Sequence, residues 1–428
     1  MRLAVPLDEE DLVSNNGSTV PGAPPSLTLP DIVEARERIR DQVVLTPCTR
    51  SMAFDDLLAC SPWLKFETRQ RTGSFKDRGA LNKLLQLSEE ERSRGIVTAS
   101  AGNHAQAVAY HATRLGIPAR VVMPIGTPLV KSTRTRGFGA SVILHGDTVS
   151  EALAEAFRLV DQDGLTKVHP YDDRDVIAGQ GTIGLELVEQ VEDLTHVVVP
   201  LGGGGLISGI AVAVKGLHPS VHVIGVEAAA APAAYRSRKM GEITPIESTE
   251  TIADGIAVQR IGDLTFPLIE EYVDDIVIVE EEEIARAVLL LLEHERTVVE
   301  GAGAISLAAL VSGQISLGSG DVVAAVLGGG NIDVNMIARI IERGLVVDGR
   351  MARLIVTVRD RPGSLAELTK VVGDLGANVL EVRHRRAFAD LTVGDVEVVM
   401  HLETRGKEHV KEIVAALEAC GHSVGEHV

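Results

Sequence analysis

The sequence predicts an α/β protein built on parallel sheets, followed by a smaller domain with the strand and helix order βαββαβ. From about residue 63, short apolar strands alternate with helical segments, which is typical of parallel sheets with helices on both faces. Around residue 347 the pattern changes, and two successive strands stand between two helices. Aromatic residues make up only 3% of the chain, so Val, Leu, Ile and Ala must form most of the core.

The larger domain is predicted over residues 29–347, after a flexible tail at 1–28 that is rich in Gly, Pro, Ser and Asn. Its first helix opens at 29–32, and Asp31 lies in the first turn. Two further helices are predicted at 76–87 and 102–115. The predicted strands are 64–67, 95–99, 119–123, 141–144, 196–200, 222–226, 275–279 and 321–327. Ligands bind beyond the carboxyl ends of such strands, where three notable loops lie.

The smaller domain is predicted over residues 351–428 and has the ferredoxin-like order. Its predicted strands are 353–358, 378–386 and 393–402, with a short strand closing the chain, and its predicted helices are 365–375 and 407–420.

Charge and cysteine content narrow the class of partner. The net charge of −19 repels nucleic acid and anionic membranes, so neither is expected as a partner. The longest apolar run, 287–292, is too short to cross a bilayer, and the N-terminus turns acidic too early for a secretory signal. Cys48, Cys60 and Cys420 lack metal-site spacing and favour a reducing cytoplasm over a disulfide framework.

The stretch 72–80 contains the strongest candidate for chemistry. Lys76 follows Phe75 at the predicted start of a helix, and Gly73 and Gly79 allow close backbone approach on either side. A lysine that forms a Schiff base needs a lowered pKa, which burial and nearby positive charge supply. Phe75 provides an apolar neighbour. The alternative is an ordinary solvated lysine.

The second loop, 100–105, joins a predicted strand to a predicted helix. Free N–H groups in the first turn of a helix can bind a carboxylate, and the side chain of Asn103 could donate to a phenolate oxygen. A plain Ser-x-x-Asn helix cap explains the same residues and stays open as an alternative.

The third loop, 202–205, places four glycines between a strand and a helix. Several backbone N–H groups could therefore converge on an anion at a helix N-terminus, and a phosphate is the natural guest. The spacing matches neither a P-loop nor a dinucleotide fingerprint, and a flexible structural loop is the alternative. Together, a lysine for a carbonyl, an anion loop and an asparagine for a phenolate indicate pyridoxal 5′-phosphate.

These motifs, with 180–182 and 329–331, resemble the serine/threonine dehydratase group of the fold-type II pyridoxal-phosphate enzymes. The resemblance covers residues 30–345 and implies a two-subdomain core like that of the tryptophan synthase β-subunit. It implies that Lys76 holds the cofactor as a Schiff base and acts as general base. The cofactor-binding residues that it implies are Phe75, Lys76, Asn103, Gly202, Gly203, Gly204, Gly205, Leu206 and Gly328. The substrate-binding residues that it implies are Ser100, Ala101, Gly102, Asn103 and His104.

The sequence departs from that group at three places. Gly328 stands where a Ser, Thr or Cys usually faces the pyridine nitrogen. Ala101 replaces the serine that serves racemases as second acid/base, which disfavours racemisation. Glu227 matches one carboxylate of a frequent cation site, but Ala233 replaces the other, so no metal is predicted.

The resemblance implies a lyase that converts L-threonine to 2-oxobutanoate and ammonia by dehydration and deamination, in isoleucine and threonine metabolism. An L-serine dehydratase of the same group stays open, because one methyl group gives only modest discrimination. A non-catalytic amino-acid sensor that retains the fold is the alternative from another class.

Residues 358–365 give the smaller domain its resemblance to a single ACT domain. The resemblance implies paired ACT domains, hence a homo-oligomer, either dimer or tetramer, that binds an amino-acid effector such as isoleucine or valine. The effector-binding residues that it implies are Asp360, Pro362, Gly363, Ser364 and Leu365. Pro362 suits the first position of a helix. A plain dimerisation module is the alternative.

Overall fold

A computed structural model describes residues 27–247, 250–386 and 394–425, and the chain divides into two compact units between Asp333 and Val334. Residues 1–26 of the predicted tail lie outside the described residues. Leu27 is buried, and the Thr28 N–H donates to the carboxylate of Asp31 at 2.8 Å, in the first turn of the first helix. The predicted domain limits stay predictions.

The first unit contains two largely parallel sheets. Its helices are α1 (Leu29–Ile39), α2 (Lys76–Leu85), α3 (Glu89–Arg94), α4 (Asn103–Arg114), α5 (Leu129–Gly137), α6 (Val149–Asp163), α7 (Arg174–Gln190), α8 (Gly205–Leu217), α9 (Ala233–Met240), α10 (Thr265–Tyr272), α11 (Glu281–His294) and α12 (Gly301–Val311). Its strands are β1 (Cys48–Arg50), β2 (Ser61–Phe66), β3 (Ile96–Ala99), β4 (Ala119–Met123), β5 (Ser141–Leu144), β6 (Thr166–Lys167), β7 (His196–Pro200), β8 (His222–Ala228), β9 (Asp275–Val279) and β10 (Val322–Leu327).

The two sheets have the orders β1-β2-β10-β7-β8-β9 and β5-β4-β3-β6. All neighbouring strands in them run parallel except β1, which pairs antiparallel with β2. The central strands β7 and β10 are apolar on both faces and almost wholly buried, which is typical of parallel sheets covered by helices. The carboxyl ends of β3, β7 and β10 lead directly into residues 100–102, 201–204 and 328–331.

Small residues bring the helix that begins at Lys76 close to its neighbours. A Cβ atom on Gly79 would lie 2.6 Å from the carbonyl oxygen of Val176 in α7, and one on Gly179 would lie 2.6 Å from the Gly79 Cα. Backbone contact of this kind excludes any side chain at either position. Gly79 therefore fixes the packing of α2 on α7.

The second unit contains α13 (Val334–Val347), β11 (Met351–Arg359), α14 (Ser364–Asp374), β12 (Asn378–Arg385), β13 (Asp395–Glu403), α15 (Lys407–Ala419) and β14 (Ser423–Val424). Its four strands form an antiparallel sheet in the order β12-β13-β11-β14. Apolar residues of β11 and β13, such as Leu354 and Val398, pack against α14 and α15.

The predicted α/β class and the C-terminal βαββαβ order are confirmed. The short strands β1 and β6 were not predicted, because two or three residues are too few to show an alternating pattern. The placement of Pro362 was wrong: α14 begins at Ser364, and Pro362 lies before Gly363, which precedes the helix with a left-handed φ of 97°. Among the described residues, no helix combines the length and the apolar character needed to cross a membrane.

Candidate active site

Lys76 is the first residue of α2 and points into the protein. Its Nζ donates to the carbonyl oxygen of Pro170 at 2.7 Å and lies 4.8 Å from the centre of the Phe75 ring. Desolvation lowers the pKa of Lys76 to about 8, although the nearby carboxylate of Glu300 opposes this shift. Near neutral pH a far larger fraction of this amine is therefore neutral and nucleophilic than of a lysine with the ordinary pKa of 10.5.

The segment after β10 holds the turn that carries this lysine. The N–H of Phe75 donates to the carbonyl oxygen of Gly328 at 3.0 Å, and Ser74 forms a β-bridge with Gly329. A Cβ atom on Gly328 would lie 3.4 Å from Cδ1 of Phe75. Two of the predicted cofactor-binding residues, Phe75 and Gly328, are thus brought together beside Lys76.

Asn103 forms no helix cap, although α4 begins at this residue. Its Nδ2 instead donates to Oε1 of Glu300 at 2.6 Å. The plain-cap alternative is therefore wrong for this loop.

Glu300 lies in the site but was missed from the sequence. It is 7% exposed at the N-terminus of α12 and 197 positions away from Asn103. Burial raises the pKa of Glu300 to about 7, and the neighbouring Asp254 adds to the shift. The only signal in the sequence is an acidic residue directly before the small residues Gly301 to Ala304.

The predicted substrate-binding residues, 100–104, differ in burial: there is free space beside Gly102, whereas His104 is buried. A Cβ atom on Gly102 would meet nothing within 4 Å, whereas His104 is 2% exposed and its Nε2 bonds to the carbonyl oxygen of Val168 at 3.1 Å. Burial, together with the charge of Lys76, lowers the pKa of His104 to about 3, so the imidazole is neutral. The Oγ of Ser100 accepts from the N–H of Gly102 at 3.2 Å. Ala101 brings no ionisable group.

The glycine-rich loop precedes α8 and is held by its protein neighbours. Gly204 has a left-handed φ of 94°. A side chain on Gly203 would collide with the ring of Tyr171, and a Cβ on Gly205 would lie 2.7 Å from the Tyr171 carbonyl oxygen. Within the described residues, the N–H groups of 202–206 donate to no protein acceptor. Tyr171 was not predicted from the sequence.

These features fit pyridoxal phosphate. Unused N–H groups at the start of α8 suit a phosphate, because the helix N-terminus attracts an anion. A partly neutral lysine suits the aldehyde carbon, and the Nδ2 of Asn103 can donate to an anionic ring oxygen. Gly328 offers no side chain to the pyridine nitrogen.

Glu227 lies near the carboxyl end of β8 and bonds to the start of α9. It is fully buried, and its carboxylate accepts from the N–H groups of Ala234 and Tyr235 at 2.8 and 2.7 Å. Burial raises its pKa to about 8. The described residues contain no cluster of three metal-ligating side chains.

The predicted effector residues of the second unit lie together at the start of α14. Pro362 and Gly363 are exposed, Leu365 is 39% exposed, and Ser364 is buried. The carboxylate of Asp360 accepts from Nε and Nη2 of Arg386 at 2.9 and 3.1 Å. This hydrogen-bonded pair lowers the pKa of Asp360.

Known proteins resemble the chain over nearly its whole length. Residues 39–329 match the family model described as pyridoxal-phosphate dependent enzyme, and residues 352–422 match the ACT domain. An L-threonine ammonia-lyase of Thermotoga maritima is 49% identical over 398 residues, which cover 93% of this chain and 99% of the relative.

Two solved structures extend the comparison. Maize serine racemase gives a TM-score of 0.71 at 35% identity, over 75% of this chain and 99% of its own. The processed threonine deaminase isoform 2 of Solanum lycopersicum gives a TM-score of 0.71 at 33% identity, over 81% of this chain and 98% of its own.

Proposed function

The chain belongs to the family of pyridoxal-phosphate dependent enzymes, and we propose that it is an L-threonine ammonia-lyase that forms 2-oxobutanoate and ammonia. The observation that carries the proposal is the amine of Lys76, which forms no ion pair with a described residue and donates to the carbonyl oxygen of Pro170. The neighbouring Phe75 bonds to Gly328, and Asn103 donates to Glu300, whose carboxylate acts on the amine. The N–H groups of 202–206, in the loop that packs on Tyr171, donate to no acceptor among the described residues.

Each residue of the site has a part in holding the cofactor or the substrate. Lys76 would hold pyridoxal phosphate at its aldehyde, Asn103 at its ring oxygen, and 202–206 at its phosphate. The substrate carboxylate would lie at the open side of Gly102, before the N-terminus of α4. When bound, the cofactor withdraws electrons from the amino-acid Cα and so acidifies the Cα proton.

Proton transfer is the work of Lys76. Its neutral Nζ accepts the Cα proton, and the nearby Glu300 carboxylate stabilises the ammonium that forms. The hydroxyl then leaves from Cβ as water after it takes up a proton, which the ammonium of Lys76 can return, and hydrolysis of the product releases ammonia, so that threonine yields 2-oxobutanoate. Ala101 can supply no proton from the other face, which favours elimination over racemisation.

The test is a comparison of L-threonine, L-serine and D-serine as substrates of the purified holoenzyme, with release of ammonia and 2-oxo acid as the readout. We expect the highest kcat/KM with L-threonine and no turnover of D-serine. A higher kcat/KM with L-serine would make the chain a serine dehydratase. A protein that binds the cofactor but releases no ammonia from any substrate would be an amino-acid sensor.

We further propose that isoleucine or valine regulates the enzyme by binding at Asp360 and 362–365, and that paired ACT domains make it a homodimer or homotetramer. The exposed loop before α14 and the match to the ACT domain support this. Titration with isoleucine and with valine should change the activity and the unfolding temperature. If neither amino acid changes either quantity, the regulatory proposal is wrong. The cysteines are all free, which supports a place in the cytoplasm.

A further inference from the structure

Asn331 joins two loops of the site. Its Nδ2 donates to the carbonyl oxygen of Thr72 at 2.6 Å and to Oδ1 of Asn103 at 2.8 Å. Thr72 begins the turn that leads to Lys76, and a Cβ atom on Gly73 would lie 2.9 Å from Oδ1 of Asn331. Asn331 therefore fits closely between the lysine turn and Asn103.

The backbone carbonyl of Thr72 determines how both amides are oriented. A carbonyl oxygen only accepts, so Asn331 must turn its NH₂ group toward Thr72. Both hydrogens of that group are then in use, one on Thr72 and one on Asn103. Asn103 must consequently present its oxygen to Asn331 and its own NH₂ group to Glu300.

One hydrogen on Nδ2 of Asn103 stays available after the bond to Glu300 is made. We propose that Asn331 is a positioning residue that keeps the Asn103 amide in the orientation in which this remaining N–H can donate to the bound cofactor. The inference rests on the proposed function, because it needs a cofactor oxygen at Asn103. Without Asn331, only the bond to Glu300 would determine which way the Asn103 amide is turned.

A double-mutant cycle tests whether Asn331 acts through Asn103. The dissociation constant of pyridoxal phosphate is measured by absorbance titration of cofactor-free wild type, Asn103→Ala, Asn331→Ala and the double variant. We expect Asn103→Ala to weaken binding about tenfold, which is the loss of one hydrogen bond to a charged group. Asn331→Ala should weaken binding by a smaller factor, and the double variant should bind as Asn103→Ala does.

Two further variants complete the design. Asn331→Asp has the same shape but can donate no hydrogen bond, so it should weaken binding as Asn331→Ala does. Arg134→Ala is the matched control, because Arg134 approaches Oδ1 of Asn331 at 3.4 Å but makes no hydrogen bond to Asn103. Its affinity for the cofactor should equal that of wild type. The unfolding temperatures of all cofactor-free proteins are recorded as a check on folding.

The outcomes separate the two proposals. Unchanged affinity in Asn331→Ala and Asn331→Asp, with weakened binding in Asn103→Ala, would overturn the inference. Additive losses in the double variant would also overturn it, since Asn331 would then act on the Thr72 turn alone. Unchanged affinity in Asn103→Ala would refute the donor itself. A cycle with the expected pattern in a protein that releases no ammonia from threonine would overturn only the proposed function.

Discussion

Lys76 and Arg78 lie on the first turn of the same helix, but only Arg78 forms ion pairs with described residues. Arg78 is fully buried and bonds to both carboxylates around it, at 2.8 Å to Glu67 and 2.5 Å to Glu186. Lys76 forms no ion pair with any described residue and donates only to the carbonyl oxygen of Pro170.

The difference appears in the two pKa values. Burial opposes the charge of Arg78, but Glu67 and Glu186 overcome it and hold the pKa of the guanidinium above its ordinary value. Burial lowers the pKa of Lys76 to about 8, because Glu300 opposes the shift only in part. Pairing therefore makes one cation structural, and its absence makes the other a reactive amine.

The largest expected effect is the loss of catalysis when the unpaired cation is removed. Lys76→Ala should lower ammonia release from threonine by about 10³-fold or more, because the general base is gone. Lys83→Ala is the matched control on the same helix, where Lys83 pairs with Asp173 at 2.9 Å, and it should leave the activity nearly unchanged. Substantial ammonia release by Lys76→Ala would show that another group is the base.

Removing the paired cation should affect stability instead. Arg78→Met should lower the free energy of unfolding by about 3–5 kcal/mol, because the buried Glu67 would lose its ion-pair partner and Glu186 would keep only Lys65. Urea unfolding measures this loss. Arg94→Met, which breaks an exposed pair with Glu90, should cost less than about 1 kcal/mol. Equal losses in the two variants would contradict a structural role for Arg78.

The smallest effect concerns pH. The rate at which the cofactor-free protein captures pyridoxal phosphate should rise with pH, reach half its maximum near the Lys76 pKa of about 8 and level off one to two pH units above it, because only the neutral Nζ of Lys76 attacks the aldehyde. Rapid-mixing absorbance measures this rate. If Lys76 kept its ordinary pKa of 10.5, the rate would still be rising as the pH approached that value.

Glu300→Gln refines the same measurement. The Glu300 carboxylate favours the protonated amine, so its removal should move the half-maximal rate to a lower pH. The pKa of Glu300 is about 7, so the carboxylate is ionised in the range where Lys76 titrates. A shift to higher pH would contradict the assigned interaction between the two groups.

The sequence predicted the residues that would contact the ligand better than it predicted the distant residues that hydrogen-bond to them. Lys76 and the loop 202–205 lie in short local motifs, whose residue types state their chemistry. Glu300 and the partners of Arg78 could not be found in this way, because they approach from 197 and up to 108 positions away. Asn331 was part of a motif, but its role depends on the direction of an amide.

In the fold, too, local patterns were predictable and contacts between distant positions were not. Alternating strands and helices predicted the α/β class, since each element has its own local pattern. The order of the strands could not be predicted, because β3 to β6 leave the main sheet and form a second one between β2 and β7. The backbone contact between Gly79 and Gly179 likewise joins positions that are far apart in the chain.

The packing of Tyr171 under the glycine-rich loop has a thermodynamic consequence. Four consecutive glycines would lose much conformational entropy if a ligand had to order them, at about 1–2 kcal/mol for each residue. Here Tyr171 blocks any side chain at Gly203, and Thr265 donates through Oγ1 to the Gly203 carbonyl oxygen at 2.8 Å. That entropy is lost when the chain folds, so the binding of an anion does not have to offset it again.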